Sequence, residues 1–166
     1  MSTRPNSWRV SMTVQSIADL NEHSEPVQWT GFRFHHIGLA CRDMEREAEA
    51  LQLLGYDLEG ERFTDPLQKI HGCFLAGIGP RIELLAPLDE SSPIISWLNK
   101  DVKMYHQAYE VESIEQAMTR LTRQHAVILS RPKPAIACSG RKVAFLMLPN
   151  RLLVEVIECP ELREAP

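Results

Sequence analysis

Two histidines and two glutamates occupy matching places in the two halves of this 166-residue sequence. His36 and His106 each lie in the first predicted strand of a half, and Glu83 and Glu155 each lie in the last. Imidazole nitrogens and carboxylate oxygens are ligands that zinc, cobalt, manganese, nickel and iron all accept. The four residues therefore predict a site for one divalent metal (Zn, Co, Mn, Ni or Fe) per chain, with one or two coordination positions open to water or substrate.

Each of these residues also has a simpler explanation when it is taken alone. A histidine in a strand can be a hydrogen-bonded structural residue, and a buried glutamate can pair with an arginine such as Arg81 or Arg151. Glu155 stands in the apolar segment 152–158, where burial of a carboxylate without a cation, a proton or hydrogen-bond donors is costly. Because a packing accident need not recur in both halves, the repeated placement favours the metal site.

The elements that must position these side chains follow one plan, strand–helix–strand–strand–strand, which occurs twice. Setting His36 against His106 also places Met44 on Ile114, at the same offset of 70 residues. Two such units that join their sheets, with helices on one face, predict an α+β fold with one curved sheet. The predicted elements are a strand 34–40, a helix 44–54, strands 70–76 and 81–85, a short helix 94–98, a strand 104–111, a helix from 114 to about 123, and strands 127–129, 143–148 and 152–157.

Three regions are distinguished along the chain. Residues 1–31 are polar and contain Pro5 and Pro26, and we interpret them as an N-terminal extension, either partly ordered or packed as a cap on the main body. Residues 32–160 are predicted to form a single domain, with module one at about 33–88 and module two at about 103–158. Residues 161–166 are interpreted as a C-terminal tail.

Composition and charge argue against several classes of function. The net charge is −4 and the pI about 5.9, whereas a surface for nucleic acid or anionic membrane needs a basic stripe. Apolar runs are far shorter than the ~20 residues of a membrane helix, and the N-terminus lacks the apolar region of a secretory signal. The four cysteines form no C-x-x-C pair. We therefore expect a reduced, cytoplasmic protein that binds neither nucleic acid nor membrane.

Six short segments between residues 33 and 158 resemble those of one superfamily, in the same order and at close to the same spacing. They are HIGLA at 36–40, IELLAPL at 82–88, SPI at 92–94, YHQAYEV at 105–111, GRKVAFL at 140–146 and LVE at 153–155. On these segments the chain resembles the vicinal oxygen chelate (glyoxalase/bleomycin resistance/dioxygenase) superfamily, and within it the methylmalonyl-CoA epimerases. The resemblance implies two paired βαβββ modules that form a cupped mixed sheet around one metal, in a homodimer, with His36, Glu83, His106 and Glu155 as the metal ligands.

The resemblance also implies an isomerase of the epimerase type, in which the metal stabilises an enolate alpha to a carbonyl while a base moves the proton. His71 is a candidate base because an imidazole titrates near neutral pH. Glu110 is a second candidate because it shares strand parity with His106, and Glu155, shifting off the metal, is a third. The expected substrate is a small-molecule acid, a keto acid or an acyl thioester.

The substrate contacts depart from those of the epimerases. Where epimerases carry His-Pro-Lys after the Phe-Leu strand, this chain has Met-Leu-Pro-Asn at 147–150. Where they carry an Ala-His-Gly loop, this chain has Cys-Ser-Gly at 138–140. The candidate substrate-binding residues lie in and around this loop, and they are Lys133, Ser139, Gly140 and Arg141.

Strand alternation gives expectations for the residues that precede the two histidine ligands. Successive side chains of a strand point to opposite faces of the sheet. His35 is therefore expected on the face opposite His36, and Tyr105 on the face opposite His106, packed against helices. Both are interpreted as structural residues.

Two other functions stay open. A glyoxalase-type lyase or an enzyme of secondary metabolism could use the same metal ligands, and dependence on glutathione would identify the lyase. A protein of this fold could also bind a small ligand without catalysis, which the altered contacts favour and the intact ligand set opposes. An extradiol dioxygenase fits less well, because such enzymes typically place two histidines and one glutamate around iron, and Glu83 adds a second carboxylate.

Overall fold

The computed structural model of the protein describes residues 31–162. The described elements are, in chain order, β1 (Phe32–Ala40), α1 (Met44–Gln52), β2 (Asp57–Asp65), β3 (Ile70–Ala76), β4 (Ile82–Pro87), α2 (Ile95–Leu98), β5 (Met104–Val111), α3 (Ile114–Arg123), β6 (Val127–Pro134), a 3-10 turn (Ile136–Cys138), β7 (Lys142–Met147) and β8 (Leu153–Glu158). The interpretations of the first 30 residues and of residues 163–166 lie outside the described residues.

The described strands form one mixed sheet in the order β2-β3-β4-β1-β5-β8-β7-β6. Pairs β1–β4 and β5–β8 are parallel, and the other neighbours are antiparallel. The two βαβββ units are joined by the antiparallel pair β1–β5, at the centre of the sheet. This arrangement confirms the predicted α+β class and places the first strand of each unit side by side.

The helices α1 and α3 cover the outer face of the sheet, one on each half. Both begin at the predicted caps, since the side chains of Asp43 and Ser113 accept hydrogen bonds from backbone N–H groups of the first turn. The helix α1 packs on an apolar cluster that contains Leu84, and α3 packs on one that contains Val156. The neighbours of Leu84 on β4 and of Val156 on β8 point to the opposite, inner face of the sheet, where the predicted ligands lie.

Two strands differ from the prediction by more than two residues at an end or in their location. The repeated plan requires a strand at β2, but its position was not predicted. Most residues of β2 are polar and almost all are exposed, so it has no alternating apolar pattern. The strand β6 continues beyond residue 129 to Pro134, because its pairing with β7 resumes after two register shifts. Among residues 31–162, none of the helices has the length and apolar character needed to span a membrane.

Candidate metal centre

Four central strands bring the predicted ligands to one place on the inner face of the sheet. His36 lies on β1 and His106 on β5, while Glu83 lies on β4 next to β1 and Glu155 lies on β8 next to β5. Gly38 pairs with both Glu83 and His106, so three of the four strands are in register at this point. We call these two histidines and two glutamates the metal cluster.

The ligand atoms of the metal cluster are close enough to share one ion. His36 Nε2 lies 2.9 Å from His106 Nε2 and 3.1 Å from Glu83 Oε2. Glu155 Oε2 lies 3.5 Å from both Nε2 atoms, and all four ligand atoms lie within 4.8 Å of one another. Bonds of about 2.0–2.2 Å from a metal to nitrogen and oxygen separate neighbouring ligand atoms by roughly 3–3.5 Å. The observed spacing therefore suits a single divalent metal.

Burial determines the charge of the metal cluster. The two histidines are at most 1% exposed and the two glutamates are 4% exposed. Loss of water raises the pKa of Glu83 and raises that of Glu155 further, because Glu83 adds a second negative charge. Burial also lowers the pKa of His36 and of His106 to about 3. The cluster thus contains two neutral imidazoles and two carboxyl groups that need a cation or a proton.

Two polar atoms of the metal cluster, Glu155 Oε2 and His106 Nδ1, have no hydrogen-bond partner among the described residues. A buried polar atom left unsatisfied typically costs about 1–3 kcal/mol. Within residues 31–162 no arginine forms an ion pair with Glu155, and Arg81 instead pairs with Glu59, at 2.6 Å from Nε to Oε2. The donor set and the unpaired carboxylate oxygen therefore fit a divalent metal better than an arginine.

The ring of His106 lies in space that only a glycine leaves open. A Cβ atom added at Gly38 would lie 2.3 Å from Cε1 of that ring and 2.6 and 2.7 Å from its two nitrogens. These distances are far below van der Waals contact. The lack of a side chain at residue 38 is therefore a condition for the metal cluster to assemble.

Two β-bulges in the β1–β5 pair place His35 and Tyr105 where alternation did not predict them. The pairing register skips His35 on β1 and Tyr105 on β5. A bulge residue interrupts the alternation, so each side chain lies beside the ligand that follows it. His35 Nδ1 is 2.7 Å from His36 Nδ1, and the Tyr105 and His106 ring centroids are 5.2 Å apart. The expectation of opposite faces was wrong at both places.

His71 is not brought to the metal cluster. The pairing of β3 with β4 is regular, and Phe74 turns its ring to the cluster, 5.3 Å from that of His36. His71, three residues earlier, lies on the other face, where its Nδ1 is 2.8 Å from Thr64 Oγ1. The structure therefore contradicts the prediction that His71 acts as a base at the cluster.

Glu110 lies on the inner face, as its parity with His106 predicts, but two guanidinium groups enclose it. Arg33 Nη2 donates to Oε2 at 2.6 Å, and Arg141 Nη1 donates to Oε1 at 2.6 Å. Burial opposes ionisation of this carboxyl group, but the hydrogen bonds from Arg141 and Arg33 outweigh it and lower the pKa of Glu110. A carboxylate stabilised in this way is a weak proton acceptor, so Glu110 is poorly suited to be the base.

The candidate substrate-binding residues divide into two groups. Ser139 and Gly140, which both have positive φ, line an apolar cavity together with Leu67. Lys133 lies beside it, since its Nζ donates to the backbone oxygen of Leu67 at 3.0 Å. Arg141 belongs instead to the ion-pair network around the carboxylate described above. Three of the four residues therefore border one cavity.

The opening over the metal cluster is lined by residues that the sequence analysis did not assign to a site. These residues are Gln68, Ile70, Leu85, Pro93, Tyr105 and Phe145. They come from separate segments, and an apolar residue of such a wall looks in sequence like any core residue. For Tyr105 the internal repeat indicates a place beside the site. Tyr105 corresponds to His35 at the offset of 70 residues, and each of them directly precedes a histidine of the cluster.

Asp65, at the end of β2, is a buried carboxylate that links the two modules. Its Oδ1 accepts a hydrogen bond from Gln68 N, and its Oδ2 accepts one from Ile136 N in the other module. We expect Asp65→Asn to lower the free energy of unfolding by about 1–3 kcal/mol, because the new NH2 group opposes one of two N–H donors. Urea unfolding measures this change. Asp57→Asn, at the exposed end of the same strand, is the control, and an equal loss in both variants would contradict the prediction.

The fold and the site agree with one known family. The model of the Glyoxalase/Bleomycin resistance protein/Dioxygenase superfamily matches residues 35–145, a range that contains three of the four cluster residues. The chain belongs to this superfamily, which confirms the resemblance stated from its sequence segments.

Several proteins that are similar to this chain are named as epimerases. The ethylmalonyl-CoA/methylmalonyl-CoA epimerase of Cereibacter sphaeroides is 34% identical over 117 residues, which are 69% of this chain and 87% of that protein. The mitochondrial methylmalonyl-CoA epimerase of Bos taurus is 33% identical over 81% of this chain and 78% of its own length. The crystal structure of methylmalonyl-CoA epimerase from Mycobacterium tuberculosis matches with a TM-score of 0.65 and 27% identity, over 78% of this chain and 90% of that one. These similarities support an epimerase-like enzyme of the isomerase class.

Proposed function

We propose that this protein is a divalent-metal-dependent epimerase that inverts a centre alpha to the carbonyl of a small acyl thioester, with methylmalonyl-CoA as the first candidate. The observation that carries the proposal is the metal cluster, whose Glu155 Oε2 is buried without a hydrogen-bond partner among the described residues. The similarity to epimerases that are named for methylmalonyl-CoA supports this substrate class.

The residues of the metal cluster would hold one divalent ion, which is Zn, Co, Mn, Ni or Fe by the chemistry of the ligands. Bound there, the metal would supply a Lewis acid for the negative charge that develops on the carbonyl oxygen when the alpha carbon loses its proton. The aromatic rings of Phe74, Tyr105 and Phe145 surround the histidines and keep water from the reacting atoms. Such exclusion of water strengthens electrostatic stabilisation inside the site.

Of the three candidate bases, Glu155 is the one whose position and surroundings suit proton transfer at the metal cluster. Without a metal, burial and the neighbouring Glu83 raise the pKa of its carboxyl group. Once the carboxylate has shifted off the metal, the same surroundings would make it a stronger base. Its Oε2 has no donor among the described residues that would compete for a substrate proton. We assign the substrate proton to the carboxylate of Glu155, which would shift off the metal to accept it. Lys133, Ser139 and Gly140 are proposed to contact the acyl thioester beside the cavity that they border, and Arg141 to attract its anionic groups.

Exchange of the alpha proton in heavy water tests the proposal. The metal-loaded protein should exchange the alpha proton of methylmalonyl-CoA, followed by proton NMR. Glu155→Gln should slow the exchange by at least about 10²-fold, the lower range for a lost acid–base group. Glu158→Gln is a matched control on the same strand. Glu158 lies away from the cluster and forms an ion pair with Lys142, with 3.7 Å between Oε2 and Nζ. Turnover of the glutathione hemithioacetal of methylglyoxal without any alpha exchange would overturn the epimerase and indicate the lyase.

Oligomeric state, compartment and partners complete the proposal. We infer a homodimer, on the resemblance to the superfamily, and a reducing, cytoplasmic setting, because all four cysteines are free and buried. The net charge of −4 opposes binding of nucleic acid. Light scattering of the purified protein measures the oligomeric state.

A further inference from the structure

We propose that His35 is a positioning residue that selects which ring nitrogen of His36 carries the proton. Metal binding then reverses the hydrogen bond between the two rings and replaces Arg81 by Glu110 as the partner of His35 Nε2. The inference rests on the metal site proposed above. It concerns the two rings before and after an ion binds, and therefore has its own measurement, separate from catalytic activity.

The bulge in β1 places the ring of His35 between a ligand and a cation. Its Nδ1 lies 2.7 Å from His36 Nδ1, and its Nε2 lies 3.1 Å from Arg81 Nη1. On the same side, Glu110 Oε1 lies 4.0 Å from Nε2. Each ring nitrogen of His35 thus has a partner, and the identity of the partners limits where the protons can be.

Without a metal, the contacts define one pair of tautomers. A guanidinium group only donates hydrogen bonds, so His35 Nε2 must accept from Arg81 and the proton of this neutral ring lies on Nδ1. That N–H donates to His36 Nδ1, which places the proton of His36 on Nε2. There it points at Glu83 Oε2, at 3.1 Å. In this state the nitrogen that faces the cluster is occupied by hydrogen.

A metal ligand needs the opposite pair of tautomers. As a ligand, His36 would offer the lone pair of its Nε2 atom, and the other nitrogen of a ligating histidine carries the proton and donates it to a neighbour. His36 Nδ1–H therefore donates to His35 Nδ1, and the proton of His35 moves to Nε2. Each ring keeps one proton, so two N–H bonds break, two form and the two rings together release no proton. Because two donors cannot share the contact, the bond from Arg81 is lost, and Glu110 Oε1 becomes the acceptor.

The described part of the second half has no residue that forms the equivalent hydrogen bond to the second histidine of the cluster. Tyr105 occupies the bulge position equivalent to His35, and its ring forms a T-shaped contact with the His106 ring at an interplanar angle of 69°. The Nδ1 atom of His106 has no hydrogen-bond partner among the described residues. One ligand of the pseudo-symmetric pair is thus oriented by a hydrogen bond and the other by packing. An aromatic ring such as that of Tyr105 is enough where packing alone is needed. The nitrogen atoms of His35 therefore indicate a role in hydrogen bonding to His36.

Histidine tautomers can be observed directly in protein labelled with nitrogen-15, through long-range proton–nitrogen NMR correlations. In the metal-free full-length protein we expect the proton of His36 on Nε2 and that of His35 on Nδ1. Addition of zinc should move them to His36 Nδ1 and His35 Nε2. His36 protonated on Nδ1 before zinc is added, or a His35 tautomer that zinc leaves unchanged, would overturn the proposal. Failure to bind zinc at all would overturn it together with the metal site.

Substitutions of His35 test whether its nitrogen atom or its ring volume matters. We expect His35→Phe to weaken zinc binding by about 10–100-fold in chelator competition, as the loss of a partner to a ligating histidine does. His35→Asn should restore binding close to that of the unaltered protein, because its side-chain oxygen can accept from His36 Nδ1. Equal zinc affinity in all three proteins would contradict the positioning role.

Two arginine variants separate hydrogen bonding from charge. Arg81→Met and Arg141→Met each remove one positive charge near the metal cluster, but only Arg81 contacts the ring of His35 through a hydrogen bond. In metal-free protein, Arg81→Met should shift His36 towards the Nδ1–H tautomer, whereas Arg141→Met should not. Equal tautomer shifts in both variants would reject the role of Arg81. A protein that shows these shifts but exchanges no alpha proton would leave the inference standing and reject the proposed function.

Discussion

His106→Ala is expected to abolish stoichiometric metal binding. The unaltered protein should carry about one divalent metal per chain, as for a single four-ligand site. The substitution removes one of four ligands, and the loss of affinity should exceed the roughly 10–100-fold that follows loss of an outer hydrogen-bond partner. Elemental mass spectrometry after reconstitution and dialysis measures the metal content. His71→Ala is the control, because His71 lies on the other face of the sheet and should not affect the metal.

Thermal unfolding provides a second readout of the same substitution. A ligand that binds only the folded state stabilises it by about 2.7 kcal/mol at a free concentration 100 times its Kd. Added metal should therefore raise the Tm of the unaltered protein and of His71→Ala, and it should leave His106→Ala nearly unchanged. An equal rise in all three proteins would show that the metal binds elsewhere and would remove the cluster from the mechanism.

Gly38→Ala is expected to have the largest effect of any single methyl group added to the described residues of the site. The new Cβ would lie 2.3 Å from His106 Cε1, and the buried ring cannot move away without leaving the metal cluster. Overpacking of this kind typically costs about 1–3 kcal/mol of folding free energy. Metal should be lost as well, because the ring that moves is a ligand. Urea unfolding and metal content measure the two effects.

The double variant isolates the cause. In the His106→Ala background the added methyl group meets no ring, and the general preference for alanine over glycine in a strand, roughly 0.5–1 kcal/mol, should make Gly38→Ala neutral or stabilising. The coupling free energy between the two positions should then fall in the range of about 0.5–3 kcal/mol that contacting residues show. Additive effects would mean that Gly38 matters for the backbone of β1 and not for the ring.

The clustering of the four candidate ligands was predictable because their pattern is chemical and repeated. Each histidine lies in the first strand of a module and each glutamate in the last, so the internal repeat alone singles out all four residues. The strands and helices that carry them were predictable for the same reason, since buried strands alternate and amphipathic helices have capped ends. The strand β2 was missed because an exposed, polar edge strand has neither signal.

The proton-transfer candidates show where pattern reasoning stops. Parity correctly placed Glu110 on the inner face, yet parity contains no information about Arg33 and Arg141, which lie 77 and 31 residues away and lower the pKa of its carboxyl group. His71 was chosen for the chemistry of its side chain, and the regular register of β3 turns it to the other face. Both outcomes depend on neighbours that are distant in sequence.

The sequence by itself determined the α+β class, the two βαβββ modules and the four candidate ligands, because these depend on local periodicity and on residue type. Only the tertiary structure decided that His35 contacts His36, that Gly38 leaves room for the ring of His106, and that Arg81 pairs with Glu59 and not with the cluster. The physical reason is the register between β1 and β5. A single extra residue in one strand reverses the side of the sheet to which a side chain points, and long-range pairing sets that register.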